Sequence, residues 1–511
     1  MLSRITSYGL NGLDGYSVSV EVNIENGMPT YETVGLPDAA VRESKERVRA
    51  AIKNSGLYFP NTSRITVNLA PADMRKEGSI YDFAIAVGIL SASQMISNDS
   101  VCEYVVIGEL ALDGSIREVC GALPMVIDAY ANGHKKFLLP EKNAAEAAYV
   151  EGTTVIAVND LKQAVDFLQG KIEIKPYLPQ PWNADTAKCP VDFSDIKGQH
   201  SAKRAAEIAA AGGHNLLLVG APGSGKTMIA KSLPSILPKL TFNEALEITK
   251  IYSVSEGRGS EHGLMTMRPY IAPHHSASTV SLVGGGSKAL PGEISLAHYG
   301  VLFLDEFPEF KRDVLEALRQ PLEDGVVTVS RAKAKSTYPA DFMLVAAMNP
   351  CPCGYYGSRK KECTCSHSQV QRYQKRISGP LLDRIDIHVE MSDVSYKDLT
   401  TKSGGDSSET VRARVEAARS VQLKRYKEDG ILFNAQLTSG LLQKYCALDQ
   451  RASQLLENAM NALNFSPRAH GRLLKVARSI ADLEDSENIK YEHISEAIQY
   501  RSIESKYWGQ I

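Results

Sequence analysis

No apolar run in the 511 residues reaches the roughly 18 that a membrane span needs, and the opening MLSRITSYGL lacks the apolar stretch of a signal peptide. The expected compartment is therefore the cytoplasm. Neither sign of charge dominates: 57 lysines and arginines against 59 acids leave a net charge of −2. No global field draws the chain to nucleic acid, so any such contact must use local basic patches. There is no repeat at solenoid spacing and no low-complexity tract beyond the polar joint TKSGGDSSET. Cysteines number only eight, and in a reducing compartment they are expected as thiols or metal ligands rather than disulfides. Hydrophobic residues at 43% and charged residues at 23% are ordinary for globular protein, which excludes dominant disorder. A chain this long exceeds one core and predicts about three domains.

What is present divides by texture. Residues 1–170 alternate strand-like runs (ITVNLA, YVVIGEL, KKFLLP, TTVIAV) with helix-like ones (PDAAVRESKERVRAAIKNSG, SIYDFAIAVGILSAS), predicting an α/β or α+β domain. Residues 171–190, with four prolines and little periodicity, read as a linker. Strands and helices alternate again over 191–393. From 394 to 511 the pattern is almost wholly helical.

The second of these domains carries a phosphate-binding signature. GAPGSGKT, from Gly220 through Ala221, Pro222, Gly223, Ser224, Gly225 and Lys226 to Thr227, fits G-x-x-x-x-G-K-[ST] between an apolar strand and a helical run. Its glycines let backbone N–H groups converge on phosphate oxygens at a helix N-terminus. Lys226 is expected on the β/γ-phosphates and the Thr227 hydroxyl on Mg²⁺. GVLFLDE ends a buried strand on Asp305 and Glu306, predicted to lie beside the loop strand with Asp305 near the metal and Glu306 where water attacks. FMLVAAMNP closes on Asn349, able to bridge the γ-phosphate and that water, although Asn-Pro alone is a turn signal. In GPLLDRIDI, Arg384 is either half of an Asp383–Arg384 surface pair or, in a ring, a finger entering the neighbour's site. Arg468, near the start of a late helix, reads as a γ-phosphate contact from a helical lid or as part of a solvated face.

These five pieces, in this order, resemble an AAA+ ATPase. RPYIAPHHSASTVSLVGGGSKALPGEISLAHYGVLFLDEFPEF, LRQPLEDGVVTVSRA, NPCPCG and SGPLLDRID are similar to the magnesium-chelatase-like branch. VDFSDIKGQ looks like the segment that covers the adenine, with Ile196 and Gly198 nearby. The first 56 residues resemble the N-terminal domain of the ComM/YifB group, so the likeness spans nearly the whole chain. It implies an α/β fold: an AAA+ P-loop core, an N-terminal Lon-protease-like α+β domain and a C-terminal helical lid in which Arg468 matches the sensor position better than Arg472. It also implies a hexameric, DNA-dependent ATPase using ATP and Mg²⁺, a helicase driving branch migration in recombination or natural transformation. DNA, single-stranded or branched, is the expected partner, and no membrane is. The Lon-like chemistry is missing: Tyr81-Asp82-Phe83 stands at the nucleophile position and Leu123, Pro124 and Met125 at that of the lysine. A Ser–Lys mechanism has neither member here, so no peptidase activity is expected and the domain reads as a scaffold or DNA-contacting collar.

Two further segments bear on partners. Cys351, Cys353, Cys363 and Cys365 place four thiols in one loop, as ligands of a structural Zn²⁺ or as reduced thiols; C-x-C is closer spacing than common zinc-finger pairs use. Tyr355, Tyr356, Arg359, Lys360 and Lys361 give that loop an aromatic and basic mix suited to nucleic acid, or to solvent. LEDGVVTVSRAKAKSTYP reads as a hairpin about Asp324-Gly325, and the resemblance implies that it projects into a ring channel. Arg331, Lys333 and Lys335 alternate onto one strand face, able to follow phosphates without reading bases. His274 and His275, expected to point apart, favour a structural or DNA-loop role over a metal site. The leading expectation is a DNA motor. The alternatives are a magnesium-chelatase-type motor subunit acting on a protein or porphyrin partner, and a non-enzymatic scaffold.

Overall fold

The computed structural model describes residues 1–184, 189–255, 263–286, 289–330, 335–358, 361–392, 405–463 and 465–508. The N-terminal strands are β1 (Leu2–Asn11), β2 (Asp14–Asn26), β3 (Thr30–Val34), β4 (Ser63–Ala70) and β5 (Tyr104–Val106). A short ribbon, β6 (Glu109–Leu110) with β7 (Ile116–Arg117), precedes β8 (Lys136–Pro140) and β9 (Thr154–Val158). Seven of these form one sheet in the order β3-β4-β2-β1-β5-β8-β9. β2 runs antiparallel to β1 and β4, and the other neighbours are parallel. Alternation explains the half-buried strands: Val18, Val20 and Val22 of β2 all turn inward. Helix Asp82–Ala92 is buried along its whole length against that face, as its unbroken run FAIAVGIL requires.

The second domain is built on β10 (Leu216–Gly220), β11 (Tyr270–Ile271), β14 (Val301–Leu304), β17 (Met343–Met348) and β18 (Ile387–Met391). A ribbon β12 (Gly284–Gly285) with β13 (Leu290–Pro291) and a hairpin β15 (Val326–Ser330) with β16 (Lys335–Pro339) stand outside the sheet. The five core strands are all parallel in the order β11-β14-β17-β10-β18. This corrects one expectation: the acid-ended strand is not beside the loop strand. Val345 of β17 pairs with Leu216 on one side and Phe303 on the other, so the Asn349 strand is inserted between them. Met343–Met348 is buried at every position, as a central strand covered on both faces must be.

Helices Ser408–Arg425, Ser439–Tyr445, Gln450–Ala462, Pro467–Leu483 and Tyr491–Tyr507 follow, matching the helical texture of the sequence. They share one apolar core with helices His200–Gly212 and Lys226–Ile236. Asp482 fastens this bundle internally, accepting from Arg425 at 2.6 Å, from Arg478 at 3.1 Å and from Asn434 at 2.9 Å. Among the described residues no helix is long and apolar enough to cross a membrane.

The N-terminal domain seats on the second through contacts that include two well-defined ones. The turn after β1 inserts Leu13 into the cluster holding Val254, Val327, Val329 and Tyr338, so it packs on the base of the β15–β16 hairpin. Nearby, Gly121 N–H donates to Ser253 O at 2.7 Å, and Ser253 Oγ donates to Glu146 Oε1 at 3.1 Å. Burial raises the Glu146 carboxyl to about 7 against the opposing hydrogen bonds from Ser253 and Asn143. The folded chain therefore retains a proton that the unfolded chain releases, and stability from this group is lost as pH rises from about 4.5 to about 7. Urea unfolding should show Glu146→Gln gaining on wild type across that interval, with a constant difference on either side; parallel curves throughout would remove the buried acid from this junction.

Candidate nucleotide site

β10 delivers the chain to the C-terminal edge of the parallel sheet, and the loop after it turns back into helix Lys226–Ile236. Gly223 at φ +76° and Gly225 at φ +94° occupy left-handed backbone that other residues adopt at a cost, and Gly225 caps the helix. The first N–H groups of that helix have no partner within it and face an incoming anion.

Lys226 is buried, and its Nζ donates to Gly220 O at 2.7 Å, Ala221 O at 3.0 Å and Asn349 Oδ1 at 3.1 Å. Burial lowers its pKa, which the nearby Asp305 carboxylate partly offsets. Thr227 Oγ1 donates to Asp305 Oδ2 at 3.0 Å, and Asp305 Oδ1 accepts the Glu306 N–H at 2.9 Å. A hydroxyl and a carboxylate so placed suit a hard cation that keeps most of its ligands as water and phosphate, which is Mg²⁺. Glu306 itself sits at φ +51°, a strained backbone for a non-glycine residue and one that functional sites concentrate. Its carboxylate meets His275 Nδ1 at 3.0 Å.

The segment expected on the adenine side reaches the same loop. Ile196 is buried and Gly198 takes φ +63°. Gln199, which sequence reasoning passed over, donates from Nε2 to Ser224 O at 2.9 Å and to Ser392 O at 2.5 Å. It ties that segment to the loop and to the end of β18.

Arg384 lies elsewhere. It precedes β18 by three residues, whereas Gly220 pairs with Met391 at that strand's far end, so the two occupy opposite edges of the sheet. Five strand residues at about 3.3 Å each separate them. Arg384 donates to Pro380 O at 2.7 Å and pairs with Glu323 rather than Asp383, while its Nε is buried without a hydrogen-bond partner. Arg468 is exposed in the first turn of helix Pro467–Leu483. Together with Arg472 it depresses the Glu323 carboxyl, behind the larger effect of Arg384, so it stands with Arg384. Arg472, one turn on, approaches Asp386 Oδ1 at 3.6 Å.

Other expected residues divide. Arg331 and Lys333 lie outside the described residues, as do Arg359 and Lys360; Lys335 opens β16 opposite Ser330. Lys361 Nζ rides over the Tyr355 ring at 4.4 Å. His274 and His275 do not point apart: they follow β11 at a bend, and their rings approach to 4.1 Å. The alternation that separates neighbours applies to strands, and this segment is not one. The four thiols Cys351, Cys353, Cys363 and Cys365 converge within 4.8 Å of one another, a set compatible with a tetrahedral metal.

Comparison with known proteins follows this architecture. The family model described as magnesium chelatase, subunit ChlI, matches residues 192–399; that of subunit ChlI of Mg-chelatase matches 20–143; that of the ChlI C-terminal region matches 405–501. The chain is 44% identical over 505 residues to the uncharacterized protein YifB of Escherichia coli K12, covering 98% of this chain and 97% of that one. It is 42% identical over 506 residues to the competence protein ComM of Haemophilus influenzae, covering 98% of each. The magnesium-chelatase 67 kDa subunit of Chlorobaculum parvum is 29% identical over 164 residues, 31% of this chain and 23% of that one.

Lys226→Ala removes the one cationic side chain of the loop Gly220 to Thr227. Calorimetric titration with Mg·ATP should then give no measurable binding, and wild-type affinity in that variant would refute the site.

Proposed function

The chain belongs to the ComM/YifB family of magnesium-chelatase-like proteins, and from that premise we propose that it is an ATP-hydrolysing motor working on DNA as a ring of six copies. One observation carries the reading. Lys226, Thr227, Asp305 and Asn349 converge on one edge of the sheet, while Arg384 and Arg468 gather on the other. One chain thus holds both halves of a hydrolysis site that only a second copy brings together.

In that assembly the residues have distinct tasks. Lys226 and the helix N-terminus hold the β/γ-phosphates, and Thr227 and Asp305 hold Mg²⁺. Held there, Mg²⁺ would supply neutralisation of the phosphate charge. Asn349, already bonded to Lys226, orients the γ-phosphate and the attacking water. Glu306 takes the water proton, which requires His275 to release it. Arg384 of the adjoining copy leaves Glu323 for the γ-phosphate, satisfying its orphaned Nε as charge develops. Arg468 approaches from the same neighbour as the lid's sensor.

The DNA reading rests on the name of the Haemophilus relative, a competence protein, and on the basic hairpin sequence RAKAK. We read the N-terminal domain as a Lon-protease-like scaffold without peptidase activity. At its former nucleophile position Tyr81 and Phe83 are buried and Asp82 is bound by Arg47 at 2.6 Å; Leu123, Pro124 and Met125 are buried in helix Ala122–Ala131. We place the protein in the cytoplasm. A chelatase-type motor serving a porphyrin-binding partner is the other reading of the family descriptions. Coverage weighs against it: the Chlorobaculum subunit aligns with 31% of this chain, the Haemophilus protein with 98%.

Glu306→Gln should bind Mg·ATP yet hydrolyse it at least ~100-fold slower, the usual worth of a general base. Mixing Glu306→Gln subunits with Arg384→Ala subunits should restore turnover above either alone; additive rates would mean the arginine does not act across subunits. Wild-type turnover, measured with single-stranded, duplex and four-way DNA, should rise with DNA and most with the branched form. Indifference to DNA, with stimulation only by a porphyrin-binding protein, would turn the assignment to the chelatase reading.

A further inference from the structure

The thiol cluster is joined to the nucleotide site through a single intervening residue, Pro350. Asn349, which holds Lys226, is followed by Pro350 and then Cys351, so the chain leaving β17 runs from Asn349 into the first ligand position. Immediately after Cys353 the chain turns on Gly354, at φ +86°, whose N–H donates to Cys351 O at 3.0 Å. This turn folds back on the phosphate loop. A side chain at Gly354 would meet Pro222 Cδ at 2.5 Å and Cγ at 2.8 Å, with Asn349 Cγ at 3.9 Å. The same segment, through Pro350, Gly354 and Tyr356, forms one wall of a cavity of about 450 Å³ whose other wall includes Gly220 and Ala221.

The sulfurs have the spacing of a metal site rather than of a disulfide. Cys351 Sγ lies 3.3 Å from Cys353 Sγ and 3.6 Å from Cys363 Sγ, and the latter two are 3.6 Å apart. A disulfide requires about 2.05 Å. Four Zn–S bonds of about 2.3 Å in a tetrahedron set sulfurs about 3.8 Å apart. Backbone N–H groups supply the outer layer: Tyr356 donates to Cys351 Sγ at 3.3 Å, and those of Tyr355 and Thr364 face Cys353. Donors aimed at sulfur stabilise thiolates and orient them as ligands. The close C-x-C spacing is accommodated because the glycine turn, not a longer spacer, brings the first pair together.

We propose that Cys351, Cys353, Cys363 and Cys365 bind Zn²⁺ as a structural tetrathiolate, and that this metal-closed knuckle is the rear support of the nucleotide site, fixing Asn349 and bracing Pro222. Without the metal, a loop of 15 residues from Cys351 to Cys365 loses its closure, and both props of the phosphate loop loosen together. The coupling half of this inference rests on the ATP reading above; the metal half does not.

The full-length protein, purified without a nickel column, should carry one zinc per chain by mass spectrometry. Exchange for Co²⁺ should give the visible bands and sulfur charge-transfer absorption of tetrahedral thiolate coordination, and Cys363→Ser/Cys365→Ser should lose them. Zinc-stripped wild type should bind a fluorescent ATP analogue ~10-fold more weakly and recover when zinc is returned. Gly354→Ala, which keeps every thiol, should retain zinc and the cobalt bands yet weaken the analogue by a similar factor, separating mispositioning from unfolding. Lys226→Ala should keep its zinc while losing the analogue, whereas failure of the ATP reading would appear as zinc-loaded wild type that binds no nucleotide. Substoichiometric zinc, cobalt bands surviving in the double serine variant, or unchanged affinity in both the stripped protein and Gly354→Ala would each overturn the proposal.

Discussion

Lys226 is a buried ammonium held by two carbonyls of its own loop and by the side-chain oxygen of Asn349 from another strand. Burying such a charge is unfavourable unless its donors are satisfied, and here three acceptors do so. The arrangement requires β17 to lie directly beside β10, because only a neighbouring strand can bring Asn349 within 3.1 Å of the lysine. It equally requires β14 to stand one place further out, where Asp305 reaches the Thr227 hydroxyl but leaves the ammonium to Asn349. Strand order and site chemistry are one constraint. A sheet with β14 and β17 exchanged would lose the lysine's third partner and set the acid against the ammonium.

Much of this was legible in the sequence and some was not, for physical reasons. The phosphate loop announces itself because glycine at left-handed φ and a helix start leave few alternative sequences, and Gly223, Gly225 and Lys226 stand as that logic demands. Buried strands such as LLLVG and MLVAAM were equally plain, since continuous apolar runs of that length have few other uses. Their lateral order was not, because side-chain periodicity reports which faces are covered and says nothing of which strand lies beside which. His275 escaped for a related reason. Its partner Glu306 is 31 residues away, and its pairing depends on a bend after β11 that no local pattern marks. Gln199 stood in a segment already singled out, beside Gly198, yet its two carbonyl partners come from different elements and could not be foreseen.

The helical C-terminal region illustrates how a boundary drawn from texture differs from one drawn from packing. Its helices were evident from their period, but they share a core with the helices flanking the phosphate loop, so apolar contact runs unbroken across the joint. Motion of that bundle cannot leave helix Lys226–Ile236 unaffected. The N-terminal domain is tied in similarly, through Leu13 at the base of the β15–β16 hairpin and through Glu146 at Ser253. The base of that hairpin thus lies where the two domains meet.

The separation of Arg384 and Arg468 from Lys226 bears on how hydrolysis would be gated. In the single chain Arg384 is engaged by Glu323, a carboxylate that is 64% exposed, and such pairs contribute little to stability. Exchange of that partner for a phosphate therefore costs little on the arginine's side, and an orphaned Nε gains an acceptor. Glu306 is restrained in a comparable way by His275, in a pair exposed at both ends. Both groups proposed to act on the attacking water and the developing charge are thus parked on weak, exchangeable partners, whereas Lys226, proposed to hold the phosphates, is buried and bonded to three acceptors. On the proposed reading, binding is built into each copy and turnover waits on the neighbour. A ring built this way can bind ATP at every boundary and hydrolyse it only where adjoining copies close, which is the condition for converting hydrolysis into ordered movement.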